Sequence, residues 1–356
     1  MARLDFLFLG QEEVVACGGA DVAATVADVD RATSLLYREL AIEATTATLF
    51  WDLPHENLKK KVGYAGTKRV NIHAAFLDDD GVKKVGVKNI PSNPDNPKNG
   101  HGPRASGLLT MLDPESGYPI ALMDAAVISC TRTGALGALG AKYLRRSGQN
   151  RIGLIGVGPI NQAALAATIH VCRDGADVSE VVIFDLNGAR ARDYAGEITR
   201  TYRLPARAVE SAEAAVRDCD IVMPATTLTD PAQAYIPHEW LKRGALFIDL
   251  SIWDARYDVF QKADKLFANS ADALDRKNLT PGCLVEEGVI TADRLLDLGA
   301  VIEGEARGRE SDDETIVYFA RGMAIYDAIS GYRVYQNALA KREGQSLTLW
   351  KEPALA

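Results

Sequence analysis

Residues 151–166 read RIGLIGVGPINQAALA. A short apolar run, a pair of glycines and a helical pattern follow one another, the order of a dinucleotide-binding strand, turn and helix. Gly156 permits the tight turn, and Gly158 lets backbone approach a pyrophosphate. Pro159 suits the first helical position, where no amide hydrogen is needed. With Ile160 it opens a helix whose free N–H groups suit phosphate. Asn161 stands where a glycine or alanine usually lets helix and strand pack closely. The next apolar run, EVVIFDL, carries Asp185 near its end, 24 residues beyond Asn161. A carboxylate there accepts from both ribose hydroxyls, which favours NAD. Arg190 and Arg192 suit a 2′-phosphate, but Asp185 would repel that group, so NADP is the lesser alternative.

Downstream, further apolar runs alternate with helical segments, among them DIVMPATT (220–227), GALFIDLS (244–251) and ADKLFANS (263–270). Repeated βα units with continuous apolar strands imply a parallel sheet covered on both faces. Upstream, the pattern is mixed α+β. Residues 21–40 have helical spacing, and 70–90 read as two strands around Asp80-Gly81. PSNPDNPKNGHGP (91–103) is a proline-rich loop, and 106–124 a hairpin turning at 113–117. A helix of small residues then leads to the glycine turn, and the last stretch, 314–342, reads as a strand and a long helix. The expected fold is α/β, a Rossmann-type doubly wound sheet inserted after an α+β domain. Residues 1–131 and 320–356 are expected to form the substrate-binding domain, and 132–319 the NAD-binding domain. A cleft between the two is the expected place for chemistry.

A net charge of -8 disfavours a nucleic-acid or anionic-membrane surface. No run approaches the length of a membrane span or a signal peptide. The five cysteines form no CxxC pair, and the five histidines have no HxxxH or HExxH spacing, so no metal site is expected. These features fit a cytoplasmic protein with a small-molecule ligand.

Five stretches, in order, resemble the ornithine cyclodeaminase/mu-crystallin family of NAD(P)-dependent enzymes. They are GVKNIPSNPDNP (86–97), SGLLTMLDPESGYPIALMDAAVISCTRTGALGALGAKYL (106–144), IGLIGVGPINQ (152–162), LSIWDARYDVFQKADKLFANS (250–270) and GRESDDETIVYFARGMAIYDAISGYRVY (308–335). RASG (104–107), LSIWDARYDVF and GMAIYDAIS (322–330) look most like the branch that oxidises N-(2-amino-2-carboxyethyl)-L-glutamate with NAD, giving 2,3-diaminopropionate and 2-oxoglutarate. Other branches are ornithine or lysine cyclodeaminases, amino-acid dehydrogenases and imine or ketimine reductases, and one relative is a nucleotide- and hormone-binding protein. The shared step is hydride transfer between nicotinamide and the carbon bearing an amine. The resemblance implies a homodimer, with 1–131 and 320–356 as its dimerisation domain.

Such chemistry needs a cation for the substrate carboxylate, a base for the amine proton and an acid/base for water on the imine. Lys88 matches the family lysine at the carboxylate and reacting centre; pattern alone would make it a solvated strand residue like Lys83 and Lys84. Arg132 lies among small and apolar residues and needs an anionic partner, either the substrate carboxylate, the cofactor pyrophosphate or an internal acid. Asp254 follows a strand end, where ligands gather in open α/β sheets, and matches the family's catalytic aspartate. Asp249 and Asp258 are its rivals. Arg69 and Arg104 are candidate clamps for a second carboxylate. Thr133, Thr226, Thr227, Ser251 and Gly322 match positions lining the cofactor, and Met323 the substrate. Arg321 replaces an apolar or small residue of the family, and is expected either to read a second acidic group or to sit at the surface. His73 and His101 are candidate proton shuttles, and the acidic run at 307–316 is expected to be a solvated, capped loop.

Overall fold

The computed structural model describes residues 3–52, 68–228, 230–277 and 279–354. The chain divides into two compact units, Met1–Arg132 with Met323–Ala356, and Thr133–Gly322.

The first unit begins with β1 (Leu4–Leu9), α1 (Gln11–Ala16) and α2 (Val22–Tyr37). It continues through β2 (Ala41–Glu43), β3 (Ala47–Phe50), β4 (Arg69–Asp79), β5 (Val82–Ser92), β6 (Leu108–Leu112) and β7 (Pro119–Asp124). Helix α3 (Ala126–Leu144) runs across the division of the chain. The second unit holds strands β8 (Asn150–Ile155), β9 (Val178–Phe184), β10 (Ala206–Ala208), β11 (Ile221–Pro224), β12 (Leu246–Asp249), β13 (Lys265–Ala268), β14 (Leu295–Asp297) and β15 (Ile316–Phe319). Its helices are α4 (Pro159–Val171), α5 (Gly188–Tyr202), α6 (Ala212–Val216), α7 (Tyr257–Lys262), α8 (Gly282–Glu286) and α9 (Leu298–Ile302). Helix α10 (Ala324–Lys341) and β16 (Gln345–Trp350) return to the first unit.

In the second unit the strand order is β10-β9-β8-β11-β12-β15-β13-β14, parallel throughout. From β8 the chain winds outward to β9 and β10, then returns to β11 and winds the other way. The switch point therefore lies between β8 and β11, at the carboxyl ends of the strands, where such sheets bind ligands. Ile155, Val222, Phe247, Val317 and Phe319 are among the buried side chains packed on this sheet, as expected when helices cover both faces.

The first unit's sheet runs β16-β1-β7-β6-β5-β4-β2, with β3 also pairing β4. The edge pair is unread in the sequence: β1 is antiparallel to β16 and parallel to β7. Helix α10 lies against β4, β5 and β6. Gly86 makes this approach possible, because a Cβ there would sit 2.9 Å from Ala328 Cβ. Period-two alternation puts Lys84, Gly86 and Lys88 of β5 on that buried face. Lys84 is therefore buried, not solvated as its neighbour Lys83 is; it meets Asp79 at 2.7 Å and lies over the Tyr332 ring. The opposite face of β2, β3 and β4 carries exposed Ile42, Leu49 and Ile72.

Candidate active site

In the first unit the register of β4 and β5 sets His73 directly opposite Lys88. The α10 contact at Gly86 brings the neighbouring Asp327 to the lysine. Lys88 is 2 % exposed, and its Nζ donates to Asp327 Oδ2 at 2.6 Å and to Ser129 Oγ at 3.3 Å. Arg132, 6 % exposed on α3, donates from Nε to Asp327 Oδ1 at 3.0 Å and from Nη2 to Ser129 Oγ at 3.4 Å. One fully buried carboxylate thus aligns two cations. Burial, reinforced by Arg132, lowers Lys88 to about 8, with Asp327 resisting the fall. Burial works to raise Asp327, but Arg132 and Lys88 outweigh it and hold the carboxyl below its ordinary value. Lys88 is a buried amine that exchanges protons near neutrality, and Arg132 is a permanent cation beside it.

His73 completes this face. Its Nδ1 lies 3.2 Å from Glu43 Oε1 and 3.1 Å from Thr46 Oγ1. Burial and the charge of Lys88 lower its pKa, Glu43 opposing. His101 is exposed in the loop that follows β5, a strand that takes in Pro91 and Ser92 of the stretch expected to be loop, and His55 lies outside the described residues. At the other end of the hairpin, Arg69 pairs in register with Ser92, whose hydroxyl accepts from Arg104 Nε at 3.2 Å. Burial and the charge of Arg69 lower the Arg104 pKa. The structure thus sets Arg104, from the loop after β5, near Arg69 at one end of the strand pair that holds Lys88.

In the second unit the candidates gather at the carboxyl ends of the strands. Gly156 has φ +83°, and a Cβ there would lie 3.0 Å from the Ala225 carbonyl across the switch point. Gly158 precedes α4 and offers no side-chain cap; Pro159 follows it, and the space beside its Cα is open. Unsatisfied N–H groups facing open space suit a pyrophosphate. Asp185 Oδ2 accepts from Val157 N at 2.8 Å and its Oδ1 from Asn187 N at 2.8 Å, so the carboxylate is fixed beside the turn. These residues fit a dinucleotide.

Asn161 does a different job from the small residue it replaces. It is fully buried, and its Nδ2 donates to Ile155 O, Gly156 O and Met223 O at 3.0, 2.7 and 3.1 Å. It ties the glycine turn to the ends of β8 and β11, leaving only its backbone for a phosphate. Ile160, just before it, is exposed.

Asp254 is 0 % exposed and is surrounded by hydroxyls. Thr226 Oγ1 donates to its Oδ1 at 2.7 Å, Tyr235 OH to the same oxygen at 2.9 Å, and Ser251 Oγ to its Oδ2. Burial and the charge of Asp254 raise the Tyr235 pKa strongly. Thr226 thus serves Asp254, whereas Thr227 points to solvent. Of the rivals, Asp258 accepts the His238 N–H, and Asp249 is wholly buried against Arg321 and Thr280.

The structure corrects one of the two expectations for Arg321. At 5 % exposure it is not a surface residue, and its guanidinium is paired to Asp249. Gly322 O accepts from Arg276 Nη1 at 2.7 Å, Met323 is buried at the start of α10, and Thr133 lies one residue after Arg132 on α3. The acidic run at 307–316 is tied down, with Lys265 meeting Glu310 and Glu314, and Ser147 meeting Asp312. Sequence reasoning missed Asp327, Ser129, Glu43 and Tyr235. An acid inside the apolar helical run AIYDAIS was the available signal for Asp327.

A model of the ornithine cyclodeaminase/mu-crystallin family matches residues 21–342. The chain belongs to that family. Within it, N-((2S)-2-amino-2-carboxyethyl)-L-glutamate dehydrogenase of Staphylococcus aureus is 35% identical over 267 residues, covering 74% of this chain and 78% of that protein. A solved archaeal alanine dehydrogenase dimer with bound NAD is 26% identical, covers 98% of this chain and 100% of its own, and superposes with a TM-score of 0.81. The Thermococcus litoralis Δ1-pyrroline-2-carboxylate reductase, solved with NADH and L-proline, has a TM-score of 0.82 at 24% identity, covering 96% of this chain and 100% of that one. The family's fold is therefore that of this chain. Among the described residues no helix is long and apolar enough to cross a membrane.

Proposed function

We propose that this chain is an NAD-dependent oxidoreductase acting on the C–N bond of an N-substituted acidic amino acid, the N-(2-amino-2-carboxyethyl)-L-glutamate class, yielding 2,3-diaminopropionate and 2-oxoglutarate. The observation that carries the reading is the grouping of cations at two places along β5. Lys88 and Arg132 meet at Asp327, while Arg104 bonds to Ser92, the register partner of Arg69, four residues further along β5. Four residues of strand span roughly 13 Å, within reach of two long side chains converging on a substrate with several carboxylates. The Staphylococcus aureus relative, whose substrate by name is such a compound, supports the same reading.

NAD, held at the glycine turn, would supply the hydride acceptor for the carbon bearing the amine. Asp185 beside the glycine turn supports NAD over NADP, because a fixed carboxylate repels a 2′-phosphate. Arg132 holds the substrate carboxylate through a charge-assisted bond. Lys88, neutral above about pH 8, takes the proton from the substrate amine. Asp254 moves the proton of the water that adds to the resulting imine, and its three hydroxyl partners fix the carboxylate's direction. The archaeal alanine dehydrogenase is a dimer, which supports a second copy as this chain's partner, and the exposed apolar face of Ile42, Leu49 and Ile72 is where that copy would pack.

The test is to mix the purified protein with NAD and a panel of amino acids and N-carboxyalkyl amino acids, following NADH and ammonia together. NADH accumulation with 2-oxoglutarate and diaminopropionate is the expected result. Ammonia without net NADH would assign a cyclodeaminase instead. The pH profile gives a second check. Oxidative kcat/KM should rise with pH through a limb near 8 as Lys88 loses its proton. The limb should vanish in Lys88→Arg, which keeps the charge but does not titrate in that range. A limb unchanged in that variant would belong to the substrate amine.

A further inference from the structure

We infer that Arg321 is a positioning residue that aims Asp254 by holding the Ser251 peptide. This deepens the proposed function and rests on it for the role of Asp254. The bonds form a continuous chain within the second unit. Arg321 follows β15 and Asp249 ends the adjacent β12, with Asp249 paired to Phe319 in register. Arg321 Nη2 donates to the Asp249 carboxylate and, at 2.6 Å, to Thr280 Oγ1, whose own hydroxyl lies 2.8 Å from Asp249 Oδ2. Arg321 Nη1 donates to the Ser251 carbonyl at 2.9 Å. Ser251 Oγ in turn donates to Asp254.

The segment between β12 and α7 that carries Asp254 has no regular helix or strand. Its far side is held by the Tyr235 and Ile236 N–H groups, which donate to Asp254 O at 3.1 and 2.9 Å. Its near side is held at Ser251 by Arg321. The guanidinium is therefore a three-way brace between the end of β15, the end of β12 and the segment bearing the carboxylate.

Stability alone does not call for a charged brace. A buried ion pair is often no more stabilising than an apolar pair of the same size, because both ions lose their hydration. Burial of Asp249 is costly enough to raise it to about 6 even with Arg321 alongside. What an apolar pair lacks is a donor for the Ser251 carbonyl. The Arg321–Asp249 pair keeps that donor in place and neutralises the charge it brings.

The experiment separates charge balance from bracing. Arg321→Met leaves Asp249 buried without its cation and should be both less stable and slower. Asp249→Asn/Arg321→Met removes both charges together. It should recover most of the lost thermal stability, while kcat stays about 10- to 100-fold below wild type and NAD affinity remains near wild type. Arg321→Lys should recover part of the rate, since it restores one donor. Ser251→Ala in the double variant should cost less than Ser251→Ala alone, because both changes break one chain of bonds. Recovery of kcat together with stability in the double variant would overturn the inference. Hydrogen–deuterium exchange of residues 250–256 reads the brace without turnover. Faster exchange in the double variant is expected, and unchanged exchange would overturn the inference even if no substrate is found. Absence of turnover in the wild type, with faster exchange in the double variant, would instead overturn the proposed function alone.

Discussion

Asp254→Asn should lower kcat and kcat/KM together by about 10²–10⁴-fold, the range that positioned proton transfer contributes, with NAD affinity nearly unchanged. The substitution keeps the shape and one acceptor oxygen. It removes the group that takes or gives a proton, and it turns an amide NH₂ toward one of the hydroxyls that now donate to the carboxylate. Thr226 and Tyr235 both converge on Oδ1, and Ser251 on Oδ2, so either amide orientation leaves a hydroxyl facing a donor. Near-equal losses in kcat and kcat/KM would identify an interaction made in the transition state; a rise in KM alone would identify substrate binding. Steady-state kinetics beside a direct NAD titration distinguishes these outcomes. A loss smaller than about threefold in kcat would remove Asp254 from proton transfer.

The glycine turn was legible because its signal is local. A strand, Gly156, Gly158 and Pro159 specify the turn within ten residues, and the order of apolar runs after it specifies a parallel sheet. Asn161 was legible as an irregularity but not as a clamp, since its partners include Met223 O from another strand. The charged cluster was only half legible. Lys88 and Asp327 lie 239 residues apart in sequence, and nothing local to either shows that one neutralises the other. Alternation along β5 is misleading for a physical reason. Val85 and Val87 suggest the buried face, but the face against α10 carries Lys84, Gly86 and Lys88. Both faces of that region present apolar residues, Ile42, Leu49 and Ile72 among those left exposed, so hydrophobicity does not tell inside from outside. Arg321 shows the same limit. Its neighbours in sequence suggest a strand end, while its function depends on Asp249 and Ser251, 72 and 70 residues away.

Asp327→Ala should have the largest effect on the first unit, because it strands two buried cations at once. Breaking a buried pair by removing one partner costs about 3–5 kcal/mol, so the variant should melt well below wild type or fail to accumulate. Asp327→Asn keeps the shape and separates folding from function. It retains an acceptor for Lys88 or Arg132 but not the charge that aligns both. Its kcat/KM should fall by about 10²-fold through misplacement of the cations. The direction of the pH effect follows from the charges. Asp327 holds the Lys88 pKa up against burial and Arg132, so its loss lowers that pKa further. The rising limb of kcat/KM should therefore move below about 8, even as the plateau drops. Stability carries the same signature. Lys88 titrates near 8 in the folded chain against 10.5 when unperturbed, so between these values the unfolded chain binds more protons and stability rises with pH. In Asp327→Asn that window should open at a lower pH. Urea melts across pH 7–11 would measure it, and a window identical to wild type would mean that Asp327 does not set the charge state of Lys88.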